Sequence, residues 1–261
     1  MALGSVSLVG PASERRDYVP VLRWLLLNVL VLIGVAALWY FGLLQTTLGN
    51  DRTHISALIL AVFVITSLHC LYQTTAISRE LTASRRIRDT ILAIGADGLR
   101  LADGQVMVAP GRRLEPSILT SHIANLLTKA DVQGRAQFDQ MLLLRALADR
   151  LRSREKLGLF VSEALLRLAL LGTAIGFILM LIPIAALNSF EPDVLRTALS
   201  GMTSGMSIAL TVTVCGIASA LVLKFEYYLL DDAISELFDI ITDTSEVYVM
   251  SAIERRSNAR P

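Results

Sequence analysis

Two threonines in long apolar segments have the chemistry and the spacing to act together. Thr173 lies in segment 165–187 and Thr213 in segment 202–223. Counted from the segment ends that adjoin basic sequence, their hydroxyls lie roughly 12 Å and 15 Å deep, because an α-helix rises 1.5 Å per residue. A hydroxyl both donates and accepts hydrogen bonds, so the pair can serve an ion or acidic group at that depth.

Small residues surround both threonines. Gly172 and Gly176 have the spacing G-x-x-x-G, and Ala209, Gly216 and Ala220 share a helix face with the second threonine. Because small residues let helix backbones approach closely, these residues predict a packing seam that holds both hydroxyls at one level. Packing alone is the other interpretation, since a threonine can bond the carbonyl of its own helix.

The remaining residues with chemical potential are few. Glu163 and Arg167 are four apart, which predicts a pair on one helix face, with a place at the inner exit of an ion path as the alternative. Cys70 and Cys215 lie in apolar segments, where they are expected to pack as small hydrophobes. The sequence has no metal-ligand spacing, nucleophile–base set or phosphate loop. We therefore expect no enzyme, no metal and no cofactor.

Four apolar segments are long enough to cross a membrane. The chain has 261 residues, 54% of them hydrophobic, and a mean hydropathy of +0.58, which is too apolar for an ordinary soluble domain. Because about 20 apolar residues span a bilayer, we predict four transmembrane helices. Their bounds are 21–43, 55–76, 165–187 and 202–223.

Basic residues determine the predicted orientation. Segment 77–156 has 14 arginines and lysines, whereas links 44–54 and 188–201 have one arginine each. Because basic residues near spans mark the cytoplasmic side, we expect both termini and 77–156 inside and both links outside. Aromatic residues do not interleave with these arginines, so no nucleic-acid partner is expected.

The sequence outside the spans is expected to be helical, which makes the fold class all-α. The last segment has an apolar stripe of Leu230, Ile234, Leu237, Ile241 and Tyr248 within acidic surroundings, so it either docks on the basic segment or remains a solvated face. Connector 96–114 is rich in turn residues and can hold a short hairpin. The predicted domains are a tail (1–20), a transmembrane hairpin (21–76), a cytoplasmic helical domain (77–156), a pore-forming hairpin (157–223) and a C-terminal cytoplasmic helix with its tail (224–261).

The last two spans resemble the MotA/TolQ/ExbB proton channel family. The residues that carry the resemblance form two motifs: Leu170, Leu171, Gly172, Thr173 and Gly176, then Gly205, Ala209, Leu210, Thr213 and Gly216. Two departures occur: Ile208 replaces an acidic residue, and Val222 replaces a proline, of the TolQ and ExbB branches. Four spans, rather than three, are the MotA-like arrangement.

The resemblance implies a function in the bacterial inner membrane. It implies a pentameric ring around two copies of a one-span MotB/TolR/ExbD-like partner, whose aspartate carries a proton, with sodium left open. Thr173 and Thr213 would line the ion pathway, because the central parts of the spans have no charged residue of their own. The process driven is not specified. The alternatives are a non-conducting four-span scaffold and a secondary transporter subunit.

Overall fold

The computed structural model describes residues 19–42, 54–95, 98–102, 105–108, 111–133, 141–185 and 191–258. This part of the chain is helical apart from three short strands, so the predicted all-α membrane fold is confirmed. The helices are α1 (Val19–Tyr40), α2 (Ile55–Ile94), α3 (Ile118–Gln133), α4 (Met141–Ala185), α5 (Pro192–Asp243), a π-helical segment (Thr244–Met250) and α6 (Ser251–Asn258).

Helices α1, α2, α4 and α5 are the four with the length and composition to cross a membrane. Within the most apolar windows, only 6%, 28%, 17% and 39% of residues, respectively, are buried by the chain itself. The predicted outer link 188–201 is shorter than expected, since α5 begins at Pro192. Proline is favoured at a first helical position, and Asp193 follows in the first turn, where a negative charge is stabilised.

Helix α2 continues well beyond its predicted span. It ends at Gly95, which has a positive φ of 87° and donates its backbone N–H to the carbonyl of Ile91 at 2.8 Å. A glycine in this left-handed conformation is the usual residue after a helix end. The charged extension of the second span, predicted from the sequence, is therefore present.

Two compact units divide the chain. The charged unit comprises 1–22, 73–154 and 230–261, and the apolar unit comprises 23–72 and 155–229. The domain boundaries predicted from the sequence are not tested by this division. Each unit is described separately below.

A small antiparallel sheet in the charged unit occupies the predicted connector. Its strands are β1 (Arg100–Ala102), β2 (Gln105–Val108) and β3 (Arg112–Arg113), paired in that order. Helix α3 packs against the first two strands. Its amino-terminal end is capped twice, since the backbone N–H of Ile118 donates to Glu80 at 2.9 Å and that of Thr120 donates to Ser117 at 3.1 Å.

The carboxyl-terminal part of α5 packs within the charged unit. Its apolar stripe is buried, including Leu230, Ile234, Leu237 and Ile241. Glu236 accepts a hydrogen bond from the guanidinium of Arg85 on α2, so the acidic helix docks on the basic segment. The predicted stripe changes phase in the π-helical segment, where Tyr248 is half-buried and Val249 is fully buried.

Candidate functional site

Glycines bring α4 and α5 into backbone contact in the apolar unit. A Cβ built on Gly176 would lie 2.7 Å from both the backbone nitrogen and the Cβ of Ala209. A Cβ on Gly216 would lie 2.4 Å from the Cβ of Ala169. These distances are shorter than van der Waals contact, so any larger residue would force the helices apart. The predicted small-residue seam is therefore the interface of this hairpin, and Ala220 is buried one turn further along α5.

The seam also fixes the relative level of the two threonines. Gly172 faces Val212, since a Cβ on this glycine would lie 2.2 Å from the valine Cγ1. Thr173 and Thr213 are the residues that follow these two in sequence. Because the helices run antiparallel at a rise of 1.5 Å per residue, the threonines differ in level by about 3 Å. The two threonines therefore lie within one helical turn of each other, as their depths predicted.

Both threonine hydroxyls donate to the backbone of their own helix. Thr173 Oγ1 donates to the carbonyl of Leu170 at 2.6 Å, and Thr213 Oγ1 donates to that of Ala209 at 2.9 Å. Both side chains are half-buried. A hydroxyl has one proton and two lone pairs, so each threonine can still accept a hydrogen bond. It can donate to another group only after rotating away from its carbonyl.

The predicted pair near the start of the third span is an exposed ion pair. Arg167 Nη2 lies 3.4 Å from Glu163 Oε2, and the two side chains are 76% and 66% exposed. An exposed pair at this spacing contributes about 0.3–0.5 kcal/mol to stability. The structure brings these residues to one helix face, as predicted, and does not test the alternative role at an ion exit.

A buried carboxyl group was missed by the sequence reasoning. Glu226 is 0% exposed, and its Oε1 accepts hydrogen bonds from Asn28 Nδ2 at 3.0 Å and from Ser67 Oγ at 2.8 Å. It follows the predicted fourth span by three residues, so it was assigned to the acidic terminal helix. The signal in the sequence was the pair of polar residues, Asn28 and Ser67, inside two otherwise apolar spans.

The next residue of α5 makes a second polar contact. Tyr227 is 1% exposed, and its hydroxyl lies 3.0 Å from Nδ1 of His69 on α2. Its ring lies over Gly158, where a Cβ would come within 2.1 Å of the ring. His69 was expected to be hydrogen-bonded rather than part of a proton relay, and this contact agrees with the first of these.

A cavity of about 410 Å³ lies in the charged unit, between α2, α3 and α4. Glu80, Arg150 and the buried imidazole of His122 are among its lining residues. Nε2 of His122 has no hydrogen-bond partner among the described residues. Burial lowers the pKa of this imidazole from its ordinary value, because the charged form loses hydration.

The chain matches one protein family. Residues 114–242 match the MotA/TolQ/ExbB proton channel family, a range that contains the whole α4–α5 seam. No curated protein and no solved structure matches the chain. The resemblance based on the two threonine motifs is confirmed.

Proposed function

We propose that this multi-pass membrane protein, which belongs to the MotA/TolQ/ExbB proton channel family through residues 114–242, is the ring-forming subunit of an ion-driven complex. The observation that supports this best is the glycine-packed α4–α5 hairpin, which holds two hydroxyls within one turn. The complex would lie in the bacterial inner membrane with both termini of this chain in the cytoplasm. No catalytic step is assigned to the chain.

The proposed ring has five copies of this chain around two copies of a one-span partner of the MotB/TolR/ExbD type. The partner supplies a membrane aspartate that binds and releases a proton. A carboxyl group in an apolar membrane setting is costly unless polar groups face it, so the ring must present hydrogen-bonding atoms at its level. Thr173 and Thr213 are the groups that we assign to this contact.

The hydrogen bonds of the two threonines suggest how they treat the two forms of the aspartate. With its proton on its own helix carbonyl, each hydroxyl offers lone pairs to the O–H of a protonated carboxyl group. An ionised carboxylate needs a donor instead, so the hydroxyl must rotate and release that carbonyl. Rotation of one bond thus exchanges the favoured charge state without moving a helix.

A non-conducting scaffold is the second candidate function. The bonds of both hydroxyls to their own backbone favour it, because a threonine that only fills a packing seam makes the same bond. The two functions differ in whether ions cross the assembled complex.

Co-expression with a one-span membrane protein encoded beside this chain tests the proposal. The purified complex is placed in vesicles, and proton uptake is followed under an imposed potential. The ring function predicts co-purification and uptake that stops when the partner aspartate is replaced by asparagine. An assembled complex that conducts no proton or sodium ion would establish the scaffold instead.

A further inference from the structure

Three helices of the apolar unit meet at the carboxyl group of Glu226. The residue is on α5, its partner Asn28 is on α1, and its partner Ser67 is on α2. Both partners lie in predicted membrane spans, and the carboxyl group is completely buried. This acidic group belongs to the chain itself, so it is separate from the aspartate expected on a partner.

The hydrogen bonds to Glu226 are distributed unequally between its oxygens. The amide of Asn28 and the hydroxyl of Ser67 both donate to Oε1, whereas Oε2 is buried and accepts no hydrogen bond from the described residues. An ionised carboxylate has two equivalent acceptor oxygens, each able to accept about two hydrogen bonds. A protonated carboxyl group has one carbonyl oxygen that accepts and one hydroxyl oxygen. The observed pattern matches the protonated form, with its proton on Oε2.

The surroundings agree with a neutral carboxyl group. The hydrogen bonds to Glu226 come from an amide and a hydroxyl, both uncharged. A buried carboxylate that is not paired with a cation is costly, and such a group takes up a proton instead. The titratable groups near it are Tyr227 and Cys70, with His69 bonded to the tyrosine hydroxyl.

We propose that Glu226 is a proton-binding site of this chain that, in its protonated form, fastens α1 to α2 and α5. Helix α1 has few other attachments, since only 6% of its apolar window is buried. Asn28 donates to the carboxyl group and also to the carbonyl of Trp24 one turn earlier, at 3.2 Å. Loss of the proton would leave a buried charge at this junction, so proton release requires the junction to open to water.

Infrared spectroscopy of the purified protein in lipid tests the protonation state. At neutral pH ordinary aspartates and glutamates are ionised, so the carbonyl stretch of a protonated carboxylic acid is diagnostic. We expect this band in the wild type, a shift of the band in D₂O, and its absence in Glu226→Gln. A wild type that lacks the band, together with a Glu226→Gln variant that loses only a carboxylate band, would overturn the proposal.

Variant stability gives a second readout that needs no partner protein. Glutamine keeps an uncharged oxygen that can accept from both donors, so Glu226→Gln should fold in wild-type amounts. Glu226→Ala leaves two buried donors without an acceptor, and should lower the folded-to-unfolded ratio about tenfold or more. Equal losses in the two variants would show that the ionised form is required, and would contradict the proposal.

Trp24 supplies a matched control for the ionised alternative. Its buried indole N–H lies near the carboxyl group of Glu226 without forming a hydrogen bond. An ionised Oε2 would attract this donor, whereas a protonated Oε2 does not need it. Trp24→Phe should therefore leave the infrared band and the folded amount unchanged. A large loss of folded protein in this variant would favour the carboxylate and count against the proposal.

Discussion

The hydroxyls of Thr173 and Thr213 are the atoms on which the proposed function depends. Valine has nearly the shape of threonine but no hydroxyl. Each Thr→Val variant should lower ion-driven activity about fivefold to tenfold, because one hydrogen bond to the moving aspartate contributes about 1 kcal/mol. Assembly should be retained, since glycines rather than hydroxyls close the seam. The measurement is proton uptake by the complex with its partner, together with oligomer size.

Thr66 provides the control for these variants. It is buried on α2, and its hydroxyl donates to the carbonyl of Val62 at 2.8 Å, so it makes the same local bond as the other two. Thr66→Val should leave activity unchanged. Equal activity in all three variants would identify the hydroxyls as packing features and support the scaffold function.

Burial of His122 makes the charged unit sensitive to acid. Because burial lowers the pKa of the folded imidazole below 6.5, the unfolded chain binds more protons in mildly acidic solution. The unit therefore has its full stability above about pH 6.5 and loses it progressively as the pH falls towards the folded pKa. Thermal unfolding should show a lower midpoint in mild acid than at neutral pH. His122→Gln should reduce that difference, and an undiminished difference in the variant would assign it to other groups.

The glycines of the α4–α5 hairpin determine how closely the helices approach. Gly176→Ala places a methyl group against the backbone of Ala209, which cannot turn aside, and should destabilise the protein by about 1–3 kcal/mol. Gly34 on α1 is the matched control, because a Cβ there meets nothing within 4 Å. Gly34→Ala should be neutral, or stabilising by up to about 1 kcal/mol. Thermal unfolding in detergent compares the two, and equal losses would show that helix propensity rather than contact decides.

The docking of the terminal helix depends on apolar burial more than on charge. Leu237 is 0% exposed in the charged unit, and Leu237→Ala should cost about 2–5 kcal/mol. Arg85 and Glu236 are partly exposed, so Arg85→Ala should cost less than about 1 kcal/mol. Amide hydrogen exchange along 230–243 measures the difference. Faster exchange in the arginine variant than in the leucine variant would reverse this ranking.

The helices could be predicted from the sequence because their apolar residues are long uninterrupted runs or recur at helical spacing. The seam was predictable for a similar reason, since glycine and alanine at steps of three and four can only permit close packing. Glu226 could not be placed, because its burial depends on α1 and α2, which are distant in sequence. The small sheet was reduced to a turn-rich connector, since strands of two to four residues have too few positions to show alternation.

The whole molecule leaves most of its apolar helix surface uncovered. Large side chains such as Leu26, Leu170, Val214 and Leu221 are more than 60% exposed in the single chain. Lipid or neighbouring copies must cover them, because a membrane helix has no other means of removing apolar surface from water. We predict that the detergent-solubilised protein is a pentamer by native mass spectrometry. A population of monomers alone, under conditions that preserve other membrane oligomers, would contradict this.

The π-helical segment Thr244–Met250 also constrains how the chain can vary in length during evolution. In a π-helix each hydrogen bond spans one residue more than in an α-helix, so the segment accommodates what amounts to an insertion. Losing one residue there would restore α-helical bonding but rotate everything that follows by about 100°. Ala252 and Ile253, now buried, would then face outwards. The number of residues in this segment is therefore under selection, even where their identities are free to change.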